Sequence, residues 1–124
     1  MPISEAEYLA MAARTGTPVA GPGSKDPHAV EGGREIAELH DPILKWCSDN
    51  RVPHMHTRPD RESGLAKGAP DFAIFLPGKT VLIECKTKEG KLSPEQIAWK
   101  LRAERNGHTV HVVRSMEHFY SLVL

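Results

Sequence analysis

Asp71 and Glu84 stand thirteen positions apart on either side of a Pro77-Gly78-Lys79 turn, and Lys86 follows Glu84 by two. The flanking runs, Asp71-Phe-Ala-Ile-Phe-Leu76 and Thr80-Val-Leu-Ile-Glu-Cys-Lys86, are apolar enough to be the paired strands of a hairpin. Strand alternation puts Leu82, Glu84 and Lys86 on one face and Val81, Ile83 and Cys85 on the other. A carboxylate and an ammonium therefore emerge from an otherwise apolar strand. Desolvating them is costly unless they meet each other, a cation or a ligand. A Glu-x-Lys alone also describes a solvent-facing ion pair; Asp71 across the hairpin is what makes this pattern more specific. Two hard oxygen ligands suit Mg²⁺ or Mn²⁺, and water acidified by such a cation can attack phosphorus. The chemistry these residue types support is phosphodiester hydrolysis.

Pro70-Asp71 followed by Glu84-Cys85-Lys86 resembles the signature of the PD-(D/E)xK nucleases. The continuation Lys86-Thr-Lys-Glu-Gly-Lys-Leu-Ser-Pro-Glu-Gln96 is similar to the VRR-NUC branch of that superfamily, in which the strand runs through a Gly-x-Leu-Ser-x-x-Gln turn into a helix. The likeness spans residues 34 to 120. It implies an α/β fold with a restriction-endonuclease-like core, a central mixed sheet flanked by helices. It also implies a cation held by Asp71, Glu84 and the backbone carbonyl of Cys85, with Lys86 orienting or deprotonating the attacking water and Gln96 at the catalytic centre. The family's first helix supplies a further Glu. Glu38 is the best match, and Glu35, nearly one turn away, is the alternative. His40 is a weaker candidate for a phosphate contact or for the site wall. Stand-alone, phage-type members of the family imply Mg²⁺-dependent cleavage of branched or junction DNA by a homodimer, leaving 5′-phosphates. The competing reading is a nuclease-fold module that binds nucleic acid or a protein partner without cutting.

Positioning these residues requires an α-β-β-β-α-β-α order. Ile36, Leu39, Ile43 and Trp46 or Cys47 recur at helical spacing over residues 34 to 50. Pro42 interrupts that helix, either kinking it or letting Asp41 cap a fresh turn. A strand near Val52 to Arg58, a charged loop from Pro59 to Ala69 and the two motif strands follow. Ser93-Pro94-Glu95-Gln96 reads as a capping box with Pro in the first turn, and Asn106-Gly107 stops the helix. Gln96 then serves the cap, the site, or both, at a helix end suited to phosphate. A strand over 109–114 and a helix from Met116 complete the domain. Ahead of it, Ser4 to Arg14 reads as a short helix and residues 15 to 33, rich in Gly and Pro, as a flexible linker. The expected division is 1–33 as an appendage and 34–124 as the nuclease domain.

At 124 residues the chain is long enough for one modest core. No apolar run approaches a membrane span, no secretory signal is visible, and two cysteines without metal-ligand spacing fit a reduced, cytoplasmic setting. Cys47 and Cys85 read as packing residues. The zero net charge hides an asymmetry: residues 1–50 hold eight acids and four Lys/Arg, residues 51–124 eight acids and twelve Lys/Arg. The basic half suits a polyanion, with Arg58, Arg61, Lys67 and Lys91 in loops as expected DNA-backbone contacts. His54-x-His56 gives thin support for zinc. The apolar ending Phe119-Tyr-Ser-Leu-Val-Leu124 either packs on its own sheet or joins a homodimer interface. The first 33 residues are the expected docking element for a replication or packaging protein.

Overall fold

The computed structural model describes residues 25–32, 34–57 and 67–124. The helix expected over 4–14, and Arg58 and Arg61, lie outside the described residues. A π-helical turn, Ile36–His40, runs directly into α1, Asp41–Asp49. β1 (His54–His56), β2 (Phe72–Leu76) and β3 (Lys79–Cys85) follow, then α2 (Pro94–Arg105), β4 (Val110–Val113) and α3 (Met116–Val123). The four strands form one mixed sheet in the order β1-β2-β3-β4. β1–β2 and β2–β3 are antiparallel, and β3–β4 is parallel through the α2 crossover. This is the helix-flanked mixed sheet of a restriction-endonuclease-like core.

Register follows from the alternation. Phe72 pairs with Ile83 and Ile74 with Val81, and Ile83 and Cys85 pair with His111 and Val113. Phe72, Ile74, Val81, Ile83, Cys85 and Val113 thus share one face, and all are buried against Leu39, Ile43, Cys47 and Phe119. Burying each such large apolar side chain stabilises the fold by about 1.5–3 kcal/mol. α2 covers the other face with Ile97, Ala98 and Leu101, opposite Val110 and Glu84. Phe119 meets Trp46 edge-on, so the apolar chain end packs on its own sheet. Both cysteines are buried and free. Among the described residues no helix is long and apolar enough to cross a membrane.

Pro42 stands in the first turn of α1, as expected, but Asp41 is helical and does not cap it. Lacking an N–H, Pro42 cannot close a turn on the Glu38 carbonyl. The backbone instead widens, and the Asp41 N–H donates to the Ile36 carbonyl in an i→i+5 bond. The wider turn carries Ile36 out of the expected apolar face, leaving it 60% exposed while Leu39, Ile43 and Cys47 stay buried. Residues 25–32 are also tied down more firmly than their composition suggests. Val30 enters the core, its N–H bonds the Arg114 carbonyl at 2.8 Å, and its carbonyl accepts from the Lys88 N–H at 2.6 Å. The packed unit therefore begins before residue 34.

Gly68 has a positive φ of 93°, and a Cβ there would overlap the Glu95 backbone carbonyl at the start of α2. Gly68→Ala is expected to destabilise the protein by more than about 1 kcal/mol and to displace the helix start that carries Gln96. Urea unfolding checks this; an unchanged midpoint would contradict it.

Candidate active site

Asp71 immediately precedes β2, and Glu84 occupies the next-to-last position of β3, so hairpin pairing brings them to one end of the sheet. The Asp71 position is fixed from two sides. Its carbonyl accepts the Thr57 N–H at 2.8 Å, and its carboxylate Oδ2 accepts the Cys85 N–H at 2.7 Å. Glu84 is only 3% exposed. Its Oε1 accepts from Gln96 Nε2 at 2.8 Å and lies 3.8 Å from Lys86 Nζ.

Gln96 does two jobs. Its backbone N–H donates to Ser93 Oγ at 3.2 Å, while its side-chain Oε1 accepts the Ser93 N–H at 2.8 Å, which completes the capping box. The amide nitrogen, unused by the cap, then orients Glu84. The loop between β3 and this helix is held by Arg114, which donates to the carbonyls of Thr87, Lys88 and Gly90. Sheet end and helix start are thereby fixed relative to each other.

Burial and mutual repulsion shape the electrostatics. Desolvation, then the charge of Asp71, pushes the Glu84 carboxyl up to about 9. Desolvation also raises Asp71, against the opposing bond from the Cys85 N–H and the charge of His40. Repulsion between the two carboxyls is relieved when one of them keeps its proton. The Glu84 proton is thus retained by the native state and lost by the unfolded chain above the ordinary carboxylate range. Native protein binds more protons than unfolded between about pH 4.5 and 9, so its cation-free stability falls as pH rises. Thermal unfolding in chelator from pH 5.5 to 8.5 should show this decline with a slope of up to one proton, and Glu84→Gln should flatten it. A wild-type curve already as flat as that of the variant would contradict the retained proton.

The π turn decides which helix carboxylate joins the cluster. Glu35 Oε1 lies 3.2 Å from His40 Nε2, a separation of five residues that the i→i+5 geometry brings onto one side. Glu38 instead pairs with Arg34 at 3.2 Å on the outer surface. His40 is buried, and its Nε2 also lies 3.8 Å from Asp71 Oδ2. Burial lowers its proton affinity, but the Glu35 bond and the Asp71 charge outweigh that, and the ring is held above the ordinary imidazole value. His40 Nδ1 meets His56 Nε2 at 3.0 Å, and His56 stacks on Phe72 with centroids 4.4 Å apart. Sequence reading set His56 beside His54 and missed its contact with His40, which lies sixteen residues away on another element. His54 bonds the Val52 carbonyl instead, and the two strand histidines do not converge.

A ring nitrogen of His40, a carboxylate oxygen of Asp71 and Cys85 Sγ lie within 4.8 Å of one another. Burial and the surrounding carboxylates raise the Cys85 thiol far above its ordinary value, which keeps it a protonated wall of the site. Of the expected DNA contacts within the described residues, Lys67 is exposed and reaches Glu95 at 3.4 Å, and Lys91 is exposed.

A family model described as the VRR-NUC domain matches residues 29–117 of this chain. The comparison with curated proteins found no match. That with solved structures also found none.

Proposed function

Because the chain belongs to the VRR-NUC domain family, nuclease domains of the PD-(D/E)xK superfamily, we propose that it is a divalent-metal-dependent endonuclease that hydrolyses DNA phosphodiesters and selects branched or junction structures. The observation that carries the reading is the pairing of buried Glu84 with half-buried Asp71, with Lys86 Nζ 3.8 Å and Gln96 Nε2 2.8 Å from the same Glu84 oxygen. Two carboxylates pressed together inside a protein are stable only with a proton or a cation between them. Their all-oxygen donor set fits Mg²⁺, with Mn²⁺ able to substitute.

Asp71, Glu84 and the Cys85 carbonyl would hold that ion. When bound, it supplies charge neutralisation toward the phosphate and acidifies water. The chain's own groups do the rest. Gln96 keeps Glu84 in one rotamer, so the ligand needs no reorganisation. Lys86, on the same face of β3, orients the attacking water and offsets negative charge growing on phosphorus. Glu35 and Glu38 are the two helix carboxylates available for a supporting role, and Glu35 is the one that reaches Asp71 through His40.

On this reading Arg58, Arg61, Lys67 and Lys91 grip the DNA backbone, and the enzyme works in the cytoplasm as a homodimer. Phe119 belongs to the core of its own chain, so the contact between copies falls to the outer side of α3, where Tyr120 and Leu124 are exposed, or to the β1 sheet edge, where Met55 is 58% exposed. Of residues 1–33, those before residue 25 are left to dock a replication or packaging protein, because Val30 packs in the core. The test is a cleavage panel of duplex, flap, fork and four-way junction DNA with Mg²⁺. Faster cutting of a branched substrate than of duplex is expected. Equal rates on all four would remove the structural selectivity, and no cutting of any would favour the silent binding module.

A further inference from the structure

We infer that two adjoining cavities, at the end of β3 remote from Glu84, bind an unpaired stretch of DNA strand, a base in one and backbone phosphate in the other. The inference rests on the DNA-cleaving reading above and adds a second grip on the same substrate.

The cavities form where α2 ends and β3 and β4 begin. Gly107, with a positive φ of 86°, turns the chain out of α2, and the His108 N–H closes the turn on the Ala103 carbonyl at 2.9 Å. His108 and Thr109 thereby join Lys79 and Thr80 in one wall. The cavities, of about 300 and 620 Å³, share Leu82 and His108. Leu82, half-buried Trp99 and Ala103 make the smaller one largely apolar, with Arg102 and Asn106 as polar groups. The Asn106 amide is held by its bond to the Arg102 carbonyl at 2.8 Å. An indole beside a guanidinium and an amide is the equipment for an unstacked base, which stacks on the ring and hydrogen-bonds at its edge.

The larger cavity supplies charge. Lys79, His108 and His111 line it together with the hydroxyls of Thr80 and Thr109. Lys79 donates to the Leu122 carbonyl at 3.2 Å, a neutral acceptor that leaves its positive charge in place. Burial, then the charges of His118, Lys100 and Lys79, holds His111 below the ordinary imidazole value, as befits positive surroundings. Among the described residues no carboxylate lines either cavity. In a chain of zero net charge, such a wall is complementary to a polyanion. Lys79 opens β3 and Glu84 is five residues further along it, about 17 Å at the rise of a strand. That spans about five nucleotides at 3.4 Å each, so one DNA strand can reach both.

The test is fluorescence anisotropy of labelled oligothymidylate, and of a duplex of equal length, with the full chain in chelator so that nothing is cut. Wild type should hold the single strand more tightly than the duplex. Trp99→Leu keeps an apolar side chain and removes the stacking face. It should weaken single-strand binding by about fivefold or more and leave duplex binding unchanged. Trp99→Phe restores an aromatic ring and should recover most of the loss. Should Trp99→Leu fail to fold, Lys79→Ala alters an exposed side chain. It should reduce the salt slope of single-strand binding by about 0.7, the share of one phosphate contact. Equal wild-type affinity for the two DNAs overturns the inference, as does a folded Trp99→Leu that binds the single strand like wild type. An unchanged salt slope in Lys79→Ala overturns it too. Failure of the nuclease reading has a different mark, namely wild-type protein that cuts no DNA when Mg²⁺ is supplied.

Discussion

Asp71→Asn is expected to lower the Mg²⁺-dependent cleavage rate by about 10³-fold or more without unfolding the protein. An Asn side chain can still accept the Cys85 N–H that Asp71 Oδ2 takes at 2.7 Å, so the sheet end stays in place. What disappears is the negative charge that opposes Glu84 and would hold the cation. Removing one preorganised electrostatic group at a reacting centre typically costs about 10²–10³-fold, and here the loss extends to the ion that activates water. Initial nicking rates on plasmid, circular dichroism and Mg²⁺ calorimetry read the three consequences separately. A folded variant that cuts at the wild-type rate would remove Asp71 from the site.

Lys86→Met should separate binding from turnover. The Lys86 stem is largely buried and its Nζ stands 3.8 Å from Glu84 Oε1, so Met keeps the packing and removes only the ammonium. Mg²⁺ affinity is expected to hold or rise, because the ammonium and the cation compete for the same carboxylate. Turnover should fall by about 10²–10⁴-fold, the range for a positioned proton-transfer or charge-stabilising group. Weakened Mg²⁺ binding with unchanged kcat would make Lys86 a structural partner of Glu84 and nothing more.

Much of this site was readable in advance because it lies on two strands joined by a short turn. Period-two alternation assigned Glu84 and Lys86 to one face, and hairpin register brought Asp71 beside them. The capping box at Ser93 was equally plain, and the structure joins its two readings: Gln96 closes the cap with its oxygen and orients Glu84 with its nitrogen. The first helix was less legible. A helical wheel assumes 3.6 residues per turn throughout, and Pro42 breaks that assumption by opening one i→i+5 turn. The wheel therefore set Ile36 in the core, whereas Ile36 is exposed; the family likeness favoured Glu38, whereas Glu35 is the carboxylate beside His40. The His40–His56 contact joins a helix to a strand, and no local period predicts such a pairing. Residues 25–32 read as linker from glycine and proline content, although Val30 enters the core and Asp26 accepts a hydrogen bond from the buried Ser115 hydroxyl.

Plasmid nicking by the wild-type chain, measured as Mg²⁺ is titrated into chelator-treated protein, tests the central claim most directly. Cleavage should be absent in chelator, rise with Mg²⁺ to saturation, and leave 5′-phosphate ends. It should fall to background at every Mg²⁺ concentration when Glu84 is replaced by Gln. Cleavage that persists in chelator, or that Glu84→Gln leaves intact, would contradict a cation held by the buried carboxylate pair.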